Sequence, residues 1–450
     1  MSQVQTLPFA DQETGLTVLK GLARDRSLLT AMAIMRDEVG PVFQITLPGF
    51  QPAVMVGPES NREIMIRQSE NFHWRSPADP VTKLLRRGVL VVDGEEHTRR
   101  RGEMEPILLK RAVLAHIPAM QVLTDQVLDK WGDGSVEDML VEMRRVALLI
   151  FMGTLLDVDF TPDMERMWQP ILKAIKFISP GLWILWPNMP RPGYKKALAE
   201  MDDYLYGIIR QRRERNSVQR TASVSVDGDE SLPADLLTHL THIPGLSDDL
   251  IRDQILTMLI AGHDTSTALL AWALHLLGQY AEVMEQAVRE VDAVIGSGDI
   301  TEKQMNRLPY LDMLIKETLR LYPPIHVGNR IVAQDTAVCG YELKAGMRVM
   351  ASIYLSHRDE RYWDAPNEFQ PRRFARRAEK PPAFTYVPFG GGARTCIGAS
   401  FAQIEAKVVL ARVLQRFALQ DTGRKVKPYM GATLEPRPGV FLQVNRRAHA

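Results

Sequence analysis

The chain is predicted to be mainly α-helical with small β-sheets, on three observations. Six long stretches space their apolar residues three and four apart, as one buried helical face requires. β-favouring residues come only in short runs, gathered in two places. No linker and no internal repeat interrupts the 450 residues, so a single domain over 1–450 is expected, although length alone would allow two or three.

In chain order, 42–47 and 53–56 read as short strands separated by Pro48-Gly49. Helical spacing then runs through 122–131, 139–156 and 194–215. Residues 216–230, NSVQRTASVSVDGDE, are polar, Ser-rich and aperiodic, and are expected to form a mobile surface loop that serves as a plain connector. Two further helices are predicted over 250–278 and 280–295. Glycines punctuate three short strands within 336–353, and a last helix is predicted over 400–417.

Composition narrows the function. A net charge of +1 argues against a nucleic-acid binder. Only two cysteines occur, Cys339 and Cys396, so no disulfide framework is indicated and a reducing cytoplasm fits. The first twenty residues carry Asp11 and Glu13 and lack a long apolar core, so no signal peptide or membrane anchor is expected there. The longest apolar run, 146–156, falls well short of the roughly 20 residues that span a bilayer.

The most informative stretch is Phe389-Gly390-Gly391-Gly392-Ala393-Arg394-Thr395-Cys396-Ile397-Gly398. It sets one cysteine on a glycine-rich loop ahead of an apolar helix. The glycines allow a tight turn and close approach to a flat ligand. Backbone amides and the helix start would stabilise a thiolate, the form that binds metal. A second signal is Ala261-Gly262-His263-Asp264-Thr265-Ser266-Thr267, in the middle of a long apolar helix. Glycine and an acid–hydroxyl pair are locally unfavourable there. They mark either function or a threonine that bonds back to a carbonyl and bends the helix. In a third, Glu317 and Arg320 stand three apart on one helical face, and Pro371-Arg372-Arg373-Phe374 follows later.

From about residue 40 to the C-terminus these motifs resemble the cytochrome P-450 monooxygenases. The resemblance implies the P-450 fold and haem b (iron protoporphyrin IX) with Cys396 as axial thiolate, Phe389 opening the ligand loop. Thr265 would hydrogen-bond bound dioxygen and Asp264 would relay protons, while His263 is a helix neighbour and not a ligand. Glu317, Arg320 and Arg373 would form the buried network that fixes the scaffold behind the cysteine loop. His97 and Arg101, four apart on one helical face, together with Arg330 and Arg394, would neutralise the haem propionates.

Candidate pocket segments implied by the resemblance are 72–90, 177–189, 259–265 and 324–327, with Ala261, Ile325 and Val327 lining the substrate side. The 177–189 segment, with Trp183 and Trp186, is read either as a lid touching a membrane surface or as inward packing. An apolar substrate such as a terpenoid, carotenoid or fatty acid is expected, with Arg75, Arg86 and Arg87 as conceivable carboxylate partners. Arg99, Arg100, Lys110, Arg111, Arg372, Arg376, Arg377 and Lys380 would form a basic face for an acidic electron donor. No flavin or nicotinamide domain follows in the sequence, so that donor is expected to be a separate ferredoxin or flavodoxin. A cytoplasmic monomer is expected. Two rivals remain: a peroxide-driven hydroxylase of the same fold, disfavoured by the intact Asp264-Thr265 pair, and a haem-binding or electron-transfer protein without turnover.

Overall fold

A computed structural model describes residues 5–25, 27–181, 190–222 and 235–448. Its axis is the 32-residue helix Asp248–Gln279, started by Ser247, whose hydroxyl accepts from the Leu250 amide. Nearly every side chain between Ile251 and Leu277 is buried. A helix buried on nearly every side belongs in the middle of a large domain, and here Met139–Ile150, Lys195–Ala222, Pro309–Leu321 and Ala399–Arg416 pack against it. The predicted helix over 139–156 is α-helical to Ile150 and then widens into a π-helical turn, Phe151–Leu155.

A five-stranded sheet flanks this body in the order Val42–Gln44, Ala53–Met55, Arg348–Ser352, Val327–Val332, Phe72–His73. Only the Ala53–Met55 and Arg348–Ser352 pair is parallel. Phe417–Asp421, Phe441–Arg446 and Val136–Asp138 form a second, antiparallel sheet. A hairpin of Lys427–Met430 and Leu434–Arg437 reaches back to the central helix, where the Trp272 indole donates to the Leu434 carbonyl at 2.8 Å.

The four strands from Phe417 onward were not anticipated, because each is only four to six residues long. The predicted loop 216–230 is also corrected, since the helix that begins at Lys195 continues to Ala222. Residues 223–230 lie outside the described residues. Among the described residues, no single helix is long and apolar enough to cross a membrane.

Candidate active site

Between the central helix and the cysteine loop lies a cavity of about 1000 Å³. Its walls include Ala261, Asp264 and Thr265 from the central helix and Phe389, Arg394 and Cys396 from the loop. Ile325, Val327 and Arg330 contribute from the five-stranded sheet and its approach, and His97 and Arg101 from the helix Gly94–Leu108.

The loop owes its path to glycine. Gly390 and Gly392 take φ of +71° and +68°, in the left-handed region. A Cβ on Gly392 would meet the Met65 carbonyl oxygen at 2.3 Å. The Cys396 amide donates to the Phe389 carbonyl at 2.9 Å, closing the turn. Cys396 is exposed only in the sense that its accessible surface is cavity wall. Burial pushes its thiol up, while the Gly398 amide and the Arg101 charge act in the opposite direction. Cys339 sits elsewhere, in the turn after the strand Thr336–Val338, with its sulfur 3.6 Å from the Ser60 hydroxyl.

Four cations converge beside the loop with few anions to balance them. The Arg101 guanidinium donates to the Thr395 carbonyl at 2.7 Å and has its nearest carboxylate, Glu105, at 3.8 Å. Arg394 binds the Val92 carbonyl at 2.6 Å and Asp93 at 2.5 Å. Arg330 donates to the Asn329 carbonyl and stacks 3.7 Å from the Trp74 ring centre. Burial first, then Arg75 and Arg394, push its guanidinium down to about 9. Arg75 donates to the Trp74 and Asn329 carbonyls, and burial pushes it down to about 10. Burial, with Arg394 and Arg101, pushes the His97 imidazole down to about 4. Guanidiniums stay charged in proteins, so this region stores positive charge that wants anions. A dianionic, planar macrocycle above a single thiolate meets both requirements, and haem fits the residues present. Among the described residues no three His, Cys, Asp or Glu side chains are placed to hold a metal ion by themselves.

On the opposite wall, Thr265 donates to the Ala261 carbonyl at 2.7 Å. Asp264 is 2% exposed and accepts from Thr433 at 2.9 Å and from Arg144 at 3.3 Å. Burial pushes its carboxyl up to about 6, against the pull of Arg144. His263 is buried with both ring nitrogens unpartnered, and burial keeps it neutral by lowering its pKa well below the usual value. Sequence reasoning missed the groups around Asp264: Arg144, Thr433 and Glu435 come from remote elements and carry no motif. It also missed Glu405, fully desolvated on the helix after the cysteine, where the Ser266 hydroxyl donates to it at 2.5 Å. Nine residues from Cys396 on an apolar helix, that acid is a local violation that could have been noticed.

Behind the loop, Arg320 grips Glu317 with two bonds of 2.8 Å, and neither side chain has any exposure. Arg373 joins the same carboxylate at 3.2 Å, and the Gln370 amide donates to it at 3.0 Å. Arg320 further donates to the carbonyls of His357, Pro366 and Glu368. The predicted trio therefore meets in space.

Some candidates fall away from the site. Arg86 pairs with Asp202 at 2.8 Å and Arg87 with Glu96 at 2.5 Å, and neither lines the cavity. Arg100 is 3% exposed and pairs with Glu103, so it does not belong to a basic surface. Trp183 and Trp186 lie outside the described residues. The preceding Phe177 packs inward, its ring 5.4 Å from that of Tyr194, and Ile178 lines the cavity.

The sequence profile of the family described as Cytochrome P450 matches residues 16–443. Cytochrome P450 139 of Mycobacterium tuberculosis is 29% identical over 435 residues, covering 91% of this chain and 96% of that protein. Human cytochrome P450 4V2 is 34% identical over 309 residues, 65% of this chain but only 58% of the human protein. Among solved structures, retinoic-acid-bound cyanobacterial CYP120A1 superposes with a TM-score of 0.82 at 25% identity, covering 99% of this chain and 100% of that one.

Proposed function

The chain belongs to the cytochrome P450 family of haem-thiolate oxidoreductases, and from that premise we propose that it is a monooxygenase acting on a long apolar substrate, with Cys396 holding the haem iron. The observation that carries this reading is a lone cysteine on the wall of the same cavity as the Asp264-Thr265 pair, beside cations short of counter-charges. Haem supplies reductive dioxygen activation, one oxygen atom entering the substrate and the other leaving as water. His97, Arg101, Arg330 and Arg394 would hold its propionates, and Glu317, Arg320 and Arg373 brace the loop from behind.

Asp264 and Thr265 handle protons. A carboxyl near 6 can both give and take a proton close to neutrality. The Thr265 hydroxyl, bonded back to Ala261, spends its proton on the helix and leaves oxygen lone pairs for the cavity. Ile325, Val327, Phe151, Met258, Leu269 and Phe401 give the substrate an apolar surround that keeps water out. Electrons come from a separate acidic ferredoxin or flavodoxin that docks on the exposed Lys110, Arg111, Arg372, Arg376, Arg377 and Lys380.

Arg75 sharpens the substrate class. It lines the cavity, its hydrogen bonds go to carbonyls only, and the nearby Asp79 is taken by Arg348 at 2.7 Å. With the propionates assigned to Arg101, Arg330, Arg394 and the neutral His97, Arg75 is left for a carboxylate on an otherwise apolar substrate. That the similar CYP120A1 structure holds retinoic acid supports an acid of this kind. Optical titration of the ferric holoprotein compares hexadecanoic acid with hexadecanol, and retinoic acid with retinol. Each acid is expected to shift the Soret band at roughly tenfold lower concentration than its alcohol, the worth of one charge-assisted contact. Arg75→Leu removes that preference. Equal binding of acids and alcohols by the unmutated protein would instead favour a neutral isoprenoid.

A further inference from the structure

The tip of the C-terminal hairpin, Met430 to Thr433, lines the cavity and holds two other parts of the molecule at once. The Ala432 amide donates to the Ser179 hydroxyl at 3.2 Å, and that hydroxyl donates to the Ile175 carbonyl at 2.9 Å. Ser179 caps the end of the helix Met164–Ile178, between the cavity-lining Ile178 and Pro180. One residue on from Ala432, the Thr433 hydroxyl donates to Asp264 Oδ2 at 2.9 Å in a buried setting. The same hairpin reaches Asp264 a second way. Glu435 holds Arg144 at 2.7 Å, closer than the 3.3 Å between Arg144 and Asp264 Oδ1. Arg437 balances the other Glu435 oxygen at 2.7 Å. The hairpin's base is fixed, with the Leu434 amide on the Pro324 carbonyl and its carbonyl on the Trp272 indole.

We propose that Thr433 is a positioning residue for Asp264, and that the Ser179–Ala432–Thr433 chain transmits the position of the cavity's helix-end wall to the proton-handling carboxylate. The inference rests on the reading of Asp264 as a proton donor in turnover. With Thr433 bonded, one carboxylate oxygen faces the hairpin and the other faces Arg144, so neither is presented freely to Thr265. A substrate that presses on Ile178, Pro180 or the 430–433 tip strains a chain of two hydrogen bonds. Freed from Thr433, the carboxylate can turn towards the cavity it already lines. Such a ligand shifts the equilibrium only by as much as it prefers the released arrangement. The charged and titratable groups facing Asp264 are Arg144 from the Met139–Ile150 helix, Glu435 from the hairpin and the neutral His263 from its own helix. None of these residues changes in the Thr433 and Ser179 variants.

The test reads the Asp264 carboxyl directly, by infrared difference titration of the ferric holoprotein, with the band assigned by its loss in Asp264→Asn. Thr433→Val keeps the shape and removes the donor to the ionised form. The carboxyl is therefore expected to titrate about one pH unit higher, the worth of one hydrogen bond to a charged group. Thr433→Ser restores the original value. Ser179→Ala, which does not touch Asp264, is expected to move the titration in the same direction by a smaller amount. An unchanged titration in Thr433→Val would overturn the positioning role, and a Ser179→Ala titration identical to the parent would overturn the transmission. If Thr433→Val does not fold, the comparison of Thr433→Ser, Ser179→Ala and the parent still decides the second point. The reading beneath is checked separately: Asp264→Asn should divert reducing equivalents from product to peroxide, whatever the infrared result at Thr433.

Discussion

Glu405 shows how a single carboxyl can set a pH dependence. It is fully desolvated, with the Ser266 hydroxyl as its partner, and burial pushes it up to about 8 from 4.5. A raised carboxyl favours the protonated folded state. Its contribution is therefore fully present below the unfolded value and is lost as pH climbs through about 8. Glu405→Gln cannot ionise, so its stability advantage over the parent should grow across that window by about 1.4 kcal/mol per pH unit. Denaturant unfolding at several pH values checks this, and parallel stability curves for the two proteins would contradict it. At this scale the chemistry-bearing residues were largely legible in the sequence. Cys396, Asp264 and Thr265 stand in motifs whose local cost demands a reason, and they do share one cavity. Thr433, Arg144 and Glu435 were not legible, because an isolated Thr, Arg or Glu is ordinary until the fold brings it beside Asp264.

Among elements, the helices over 250–278 and 400–417 announced themselves, as did the short strands at 42–47, 53–56 and within 336–353. The helices Gly94–Leu108 and Met164–Ile178 and the strands that follow the last helix did not. Over 250–278 and 400–417 apolar residues recur at three- and four-residue spacing for many turns, enough repeats to declare a helix. Strands of four to six residues from position 417 onward carry too few positions to show alternation, and one of them, Phe441–Arg446, pairs with Val136–Asp138 about three hundred residues away. The 216–222 stretch misled for the opposite reason: it is polar and still helical, extending a helix whose earlier turns pack on the core. The buried Glu317–Arg320–Arg373 knot also belongs here, since it ties the Pro309–Leu321 helix to the segment leading into the cysteine loop. Glu317→Ala strands the fully buried Arg320 charge, at a cost of about 3–5 kcal/mol. The variant is expected to be recovered as haem-free or aggregated protein. Normal haem content by absorbance and metal analysis would show that the knot does not support the loop.

For the whole molecule, the site exists because distant parts of the chain close around one cavity. The cysteine loop forms one wall, the middle of the central helix another, and the 430–433 tip and Ser179 region a third. Two cysteines offer themselves as iron ligands by composition, but only Cys396 faces that cavity; Cys339 lies against Ser60 in a remote turn. The most direct measurement is the absorbance spectrum of the reduced protein under carbon monoxide, taken for the parent, Cys396→His and Cys339→Ser. The parent and Cys339→Ser should both show the strongly red-shifted Soret band of thiolate-ligated haem, and Cys396→His should move it to the position of imidazole ligation. A red-shifted band that survives in Cys396→His, or that disappears in Cys339→Ser, would contradict Cys396 as the ligand.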